Sequence, residues 1–479
     1  MNDLDVVILA AGKGTRMKSQ RPKALHRLAG RALLAHVLEA AMALQARQIV
    51  VVTGHGAKEV DAFCASYARE AAAARGDSGG SSGSAIVTVL QAPQLGTGHA
   101  VQQAAPALAN DGVTLILNGD VPLVPLDALR QLAQQAAQGQ VALLTVDTGA
   151  NAGAYGRVVR GAGGAVSAIV EARDATPGQL KLTEWYSGVM AAPTRLLKAC
   201  LALLTDDNAQ KERYLTDVVR HAVATGARVT ALQIQDATRV AGVNSPAQLA
   251  ALERALQRRQ AEALMAQGVR LADPARLDVR GQLTCGQDVE IDVGCIFEGQ
   301  VQLADGVRVG AHCVIANARI GAGAFIHPFT HIDGGAMAQG VSVGPNARVG
   351  PYARLRPGAH LAADVHVGNF VEIKNSTLAA GAKANHLAYL GDATVGERVN
   401  YGAGSITANY DGASKHPTVI EANVHVGSNC LLVAPVTLGA GGTVGGGSTI
   451  TRSTPPGALT VARAKAVTIA NWRRPGKKG

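Results

Sequence analysis

With 479 residues, 47% hydrophobic and 17% charged, the chain is too long for a single core and too apolar for a disordered polymer. Its 45 lysines and arginines against 35 acidic residues give a formal +10, which suits anionic partners. Aromatics are 3% and no stacking motif for nucleic acid stands out, so small phosphorylated substrates fit the charge better. No apolar run approaches membrane-spanning length and no basic-then-apolar leader opens the chain, so a cytoplasmic protein without membrane or nucleic-acid partners is expected.

Asp5 to Ala10 is an apolar, β-branched run followed by Ala11-Gly12-Lys13-Gly14-Thr15-Arg16-Met17, which reads as a buried parallel strand feeding a glycine loop. A dinucleotide fingerprint needs a third glycine where Met17 stands, and a P-loop needs Gly-Lys-Ser/Thr after four spacers. The remaining reading is a loop whose backbone N–H groups close on phosphates, with Lys13, Arg16 and, after Pro22, Lys23 adding charge. A helix is expected around Leu33–Leu44 and a strand at Ile49–Val52. The Ala/Gly/Ser tract from Ala71 to Ser84 has no periodicity and reads as an exposed flexible insertion.

Gln91, five residues before Gly96-Thr97, offers a donor and an acceptor that match the edge of uracil, and Gly96 permits close backbone approach. Thr114 to Asn118 is an apolar strand that ends in Gly119-Asp120, where open α/β sheets place their ligand crevice. A carboxylate there suits Mg²⁺, which takes one or two such ligands beside phosphate and water oxygens. Ser245 and Pro246 then cap a helix with Leu249, Leu252 and Leu256 on one face, ended by Gly268.

Beyond it a large side chain returns every six residues: Val289, Cys295, Val301, Val307 and Cys313; Val343 through Val349, Leu355, Leu361 and Val367 to Ile373; then Val426 to Ile450. A period of six marks a parallel β-helix, whose coils stack because none buries its apolar side chain alone. None of the six cysteines forms a CxxC pair; Cys295 and Cys313 sit on the six-residue beat and read as reduced core thiols. His327 and His331, in one loop, are the tempting zinc ligands of a hydratase reading and read more simply as turn residues.

LxxGxGTRM followed by Pro22-Lys23 resembles the nucleotide-sugar pyrophosphorylases, and the six-residue repeat resembles the left-handed β-helix of the hexapeptide-repeat acyltransferases. Over the whole chain, with Asn385-His386-Leu-Ala-Tyr389-Leu-Gly-Asp392, the sequence resembles the bifunctional N-acetylglucosamine-1-phosphate uridyltransferase/glucosamine-1-phosphate acetyltransferase family. That resemblance implies a Rossmann-like, mostly parallel α/β domain over 1–246, a linker helix over 247–267 and a left-handed β-helix over 268–479. It also implies a homotrimer, with UTP and acetyl-CoA as substrates and Mg²⁺ as cofactor.

By the same resemblance, uridine nucleotide and sugar are held by Leu9, Ala10, Ala11, Gly12, Arg16, Lys23, Gln91, Gly96, Thr97, Asn118, Gly119, Asp120, Gly156, Glu171, Tyr186 and Asn244. Asp120 and Asn244 would carry the metal. His386 is the implied base; Arg356, Lys374, Tyr389 and Asn400 would take the sugar phosphate. Ala403, Asn409, Tyr410, Ser428, Gly446 and Arg463 would meet acetyl-CoA. The chain departs from the family pattern at Asn118, commonly tyrosine, at Gly446, commonly alanine, and at Tyr186, where the family has asparagine. The alternative function is a single-activity sugar-phosphate nucleotidyltransferase whose β-helix is structural.

Overall fold

The computed structural model describes residues 3–75, 84–149, 152–335 and 340–474. They form two compact units, Met1–Ala255 and Leu256–Gly479.

In the first unit, Leu4–Leu9 lies between Gln48–Thr53 and Val113–Asn118 and runs parallel to both. The main path of the nine-stranded sheet is Val229–Ile234, Val141–Asp147, Glu184–Pro193, Val113–Asn118, Leu4–Leu9, Gln48–Thr53, Ala85–Leu90. Glu184–Pro193 is antiparallel to both its neighbours on this path, which makes the sheet mixed. Both faces are covered, which is why the central strands read as unbroken apolar runs. Val6 and Ile8 pack with Leu34, Leu38 and Leu129, while Val7 packs with Val101, Leu197 and Val218 on the other face. The expected helix and strand are found at Leu33–Ala43 and Gln48–Thr53. The Ala71–Ser84 tract differs from expectation at its start, because residues 71–75 continue the helix Ala57–Arg75. Alanine's helix propensity outweighs the lack of periodicity there. The tract's residues 76–83 lie outside the described residues.

The helix Pro246–Ala266 is shared between the units. Glu253 accepts the Ala29 N–H at 2.7 Å within the first unit. Gln257 accepts the Val279 N–H at 2.7 Å and donates to its carbonyl at 2.9 Å within the second.

That second unit is a coil of parallel strands on three sides. Leu277 pairs with Cys295, 18 residues on, and His366 with Lys383, 17 on. Pairing begins at Arg270–Leu271, one coil before the first six-residue run becomes visible at Val289. Each repeat sends two side chains inward, two residues apart, where the sequence suggested one. Val341, Ala347, Ala353 and Ala359 are buried together with Val343, Val349, Leu355 and Leu361. The run from Val289 to Cys313 occupies the first of these positions and the run from Val343 to Ile373 the second. Cys295 and Cys313 are buried and unpaired, and burial pushes their thiols up to about 11 and about 12. Two coils are longer: Phe325 pairs with Arg348, 23 residues on, and Asn400 with His425, 25 on, the latter because residues 409–417 bulge outward as a loop.

Candidate functional site

A cavity of about 430 Å³ opens at the carboxyl ends of Leu4–Leu9 and Val113–Asn118. Leu9, Ala10, Ala11, Gly12, Lys13, Lys23, Gln91, Gly96, Thr97, Asn118, Gly119 and Asp120 line it. Gly14 turns the loop at φ 59°, and a Cβ there would lie 2.9 Å from Lys23 Cβ, so glycine is what lets Lys23 close over the loop. The Lys23 ammonium pairs with Asp120 Oδ2 and donates to Asn244 Oδ1 at 2.7 Å. A carboxylate and a carboxamide oxygen thus already face one positive charge, the donor chemistry that a hard divalent cation takes. Among the described residues no group of three or more His, Cys, Asp or Glu could hold a metal. The His327 ring lies against Phe325, tilted by 32° with centroids 4.0 Å apart, and His331 is exposed.

An adjoining cavity of about 210 Å³ shares Leu9, Thr97, Asn118 and Asp120 with the first and adds Gly156, Glu171, Tyr186 and Asn244. Arg16 lines neither, though its charge acts on Tyr155, which lines the second. Glu171 accepts the Thr216 hydroxyl at 3.1 Å, and burial raises its carboxyl above the usual range. The sheet register slips between Tyr186 and Met190, and Gly188, at φ 87°, faces the Asn118 amide. A Cβ on Gly188 would stand 2.1 Å from Asn118 Nδ2. Tyr186 is 6% exposed and its phenol oxygen is buried without a hydrogen-bond partner. Tyr155, whose ring stacks on Trp185 at 4.1 Å, also lines this second cavity.

In the second unit two columns of residues run up the coil. Asn369, His386, Ala403 and Ser428 occupy one edge, each linked to the next coil by a backbone bond: Leu387 N–H to Asn369, Gly404 to His386, Asn429 to Ala403, Gly447 to Ser428. Arg463 Nη1 donates to the Gly446 carbonyl at 2.7 Å at the top of this edge. An alanine Cβ at Gly446 would stand 3.3 Å from the Ser428 carbonyl, so glycine leaves more room there. Asn369 Oδ1 lies 2.9 Å from His386 Nδ1. As acceptor it keeps the ring proton on Nδ1 and leaves the Nε2 lone pair free.

Parallel pairing stacks Glu372 beneath Tyr389 and Lys374 beneath Gly391. Arg356 Nη1 donates to Glu372 at 2.8 Å. The Lys415 ammonium, brought back by the long loop, faces Lys374, and with burial and Arg356 it pulls the Lys374 pKa down. These three cations favour a dianion between them. Lys415 was missed in sequence because a lysine in a loop carries no pattern; the 25-residue coil was the available signal. From that loop Asn409 donates to Asp392, while Tyr410 is 61% exposed. Asn400 is not brought to Lys374: it pairs with Lys383 below and His425 above, on another edge.

A mostly parallel sheet with a glycine loop and an acid at its strand ends defines the class, and the MobA-like NTP transferase domain matches residues 6–272. Relatives extend the match to the β-helix. The chain is 65% identical over 476 residues to the Bifunctional protein GlmU of Albidiferax ferrireducens, covering 99% of this chain and 100% of that one. It is 66% identical to that of Paracidovorax citrulli, over 100% and 99%, and 62% identical to that of Methylibium petroleiphilum, over 99% and 100%. The chain belongs to the bifunctional GlmU family.

Proposed function

We propose that the β-helix acetylates glucosamine-1-phosphate with acetyl-CoA and that the sheet domain then transfers UMP from UTP to N-acetylglucosamine-1-phosphate, releasing pyrophosphate. What favours two activities over a pyrophosphorylase with a structural β-helix is the second unit's chemistry. An imidazole held by Asn369 stands in one column, and Arg356, Lys374 and Lys415 converge on one another. A scaffold needs neither. Supplying glucosamine-1-phosphate, acetyl-CoA, UTP and Mg²⁺ together should give free thiol and pyrophosphate. Omitting acetyl-CoA should abolish both, while N-acetylglucosamine-1-phosphate should restore pyrophosphate alone. Thiol release that never depends on the amino sugar would sink the acetyl assignment.

In nucleotidyl transfer a sugar-phosphate oxygen attacks the α-phosphorus and pyrophosphate leaves. The backbone at Ala10, Ala11 and Gly12, with Lys13, Arg16 and Lys23, binds the phosphates; Gln91, Gly96 and Thr97 hold the base. Gly156, Glu171, Tyr186 and Asn118 enclose the sugar. Asp120 and Asn244 would hold Mg²⁺, which when bound offsets charge on the phosphates. In acetyl transfer His386 takes the proton from the substrate amine, Arg356, Lys374, Lys415 and Tyr389 hold the sugar phosphate, and the column from Ala403 to Arg463 takes acetyl-CoA with Asn409 and Tyr410.

Asn400 joins that site from a second copy of the chain, in a homotrimer. Supporting this, His312, Phe329, Tyr352 and Phe370 stack in sequence at 5.2, 5.0 and 5.4 Å and are continued by Leu387, beside His386. From Phe329 to Leu387 these side chains are 48–62% exposed, and all five residues sit at positive φ. Such a ridge is costly to leave in water and in that backbone region.

Tyr186 allows a direct check. Leaving a hydroxyl buried and unpaired costs about 1–3 kcal/mol, a cost that a bond made with the bound sugar would offset. Tyr186→Phe should raise the Michaelis constant for N-acetylglucosamine-1-phosphate by about 2- to 10-fold, the strength of one neutral hydrogen bond. The constant for UTP should not move. An unchanged sugar-phosphate constant would show the phenol oxygen to be idle.

A further inference from the structure

Gln91 lines the larger cavity and is only 4% exposed. Its Nε2 donates to the Gly96 carbonyl at 2.9 Å and lies 3.2 Å from His99 Nδ1. A carbonyl oxygen can only accept, so the NH₂ end of the carboxamide must face Gly96 whichever way the amide is first drawn. The second hydrogen of that NH₂ then meets His99 Nδ1, which must accept. His99 therefore carries its proton on Nε2, and the Gln103 carboxamide, whose Nε2 is drawn 3.1 Å away, must be turned over to present Oε1 as acceptor. The ring is 7% exposed and does not line the cavity, and burial together with Arg213 lowers its pKa, in keeping with a neutral imidazole.

We infer that His99 is a positioning residue for base selection: by accepting from Gln91 it locks the carboxamide with Oε1 toward the nucleobase. This rests on the reading that the cavity binds UTP. With both amide hydrogens committed inside the protein, Gln91 offers the base an acceptor and no donor. Uracil presents N3–H to such an acceptor, whereas cytosine in the same pose presents a bare N3 lone pair. An amide free to turn over would satisfy either base. A fixed one rejects the wrong ring by leaving two lone pairs opposed, the way polar sites discriminate most sharply. The sequence gives no sign of this, since no local pattern marks a pairing of Gln91 with His99 eight positions on.

The experiment measures kcat/KM for UTP and CTP, with the KM for N-acetylglucosamine-1-phosphate as a control, in the full-length protein. His99→Phe keeps the ring volume and loses both nitrogens. It should raise the KM for UTP and cut the UTP/CTP ratio by about 10-fold, the worth of one hydrogen bond of ordinary strength. The sugar-phosphate KM should stay within about 2-fold, a split that general loosening of the fold would not give. His99→Asn, which retains an acceptor, should recover much of the ratio. In a Gln91→Met background His99→Phe should cost nothing further, because the group it positions is gone. If His99→Phe does not fold, His99→Leu takes its place in the same cycle. An unchanged UTP/CTP ratio, or effects of the two substitutions that simply add, would overturn the inference. A wild-type protein that transfers no nucleotide from UTP would instead overturn the function on which it rests.

Discussion

Asp120→Asn should lower uridylyl transfer by about 10²- to 10³-fold, the scale seen when a single group facing developing charge is neutralised. The substitution keeps shape and removes one negative charge at the end of Val113–Asn118, where the carboxylate sits at the junction of both cavities. Two causes could produce the loss. Asp120 could be needed to hold Mg²⁺, or it could be needed only to hold Lys23, with which it pairs directly. A Mg²⁺ titration separates them. If Asp120 and Asn244 take the metal, Asp120→Asn needs more Mg²⁺ for half-maximal rate. Lys23→Gln, which removes the ammonium now sharing those two oxygens, then needs no more than wild type although its maximal rate falls. Pyrophosphate release gives the rate, and thiol release from acetyl-CoA should persist in both variants. Should Asp120→Asn keep its pyrophosphate release and its metal requirement, the metal assignment is wrong.

The lining of the larger cavity was largely legible because its residues come from short contiguous stretches at neighbouring strand ends. Leu9 to Lys13, Gln91 to Thr97 and Asn118 to Asp120 converge once Leu4–Leu9 and Val113–Asn118 lie side by side. What sequence could not supply was partnership across the fold. The contact of Lys23 with Asn244 spans 221 positions, and no local pattern announces it. Gln91 was read as offering a donor and an acceptor to the base; the structure commits the donor to Gly96 and His99. Periodicity in the second half revealed the coil but only one of its two inward positions, because alanines such as Ala347 and Ala353 do not register as core in a sequence. Asn369 and Lys415 escaped for a related reason. One is adjacent to His386 only through stacking of successive coils, the other only through a loop that breaks the repeat.

His386→Ala should lower acetyl transfer by about 10²- to 10⁴-fold, the range of general-base catalysis, and leave uridylyl transfer untouched. An amine attacking acetyl-CoA must be neutral, and a ring whose Nδ1 is occupied by Asn369 presents Nε2 for that proton. Asn369→Ala should reproduce a smaller part of the loss, since the base remains but its tautomer is no longer held. A role as base rather than as ligand also predicts that His386→Ala leaves the KM for glucosamine-1-phosphate nearly unchanged. The same variant tests whether one chain completes the site. Asn400 is on a different edge from Lys374, so the sugar phosphate and the base are finished by residues of separate copies if the trimer forms. Inactive His386→Ala chains mixed with inactive Asn400→Ala chains would then regain part of the acetylation, because some mixed trimers hold one intact site. Mixed trimers without any recovered activity would place the whole site, Asn400 included, on one chain.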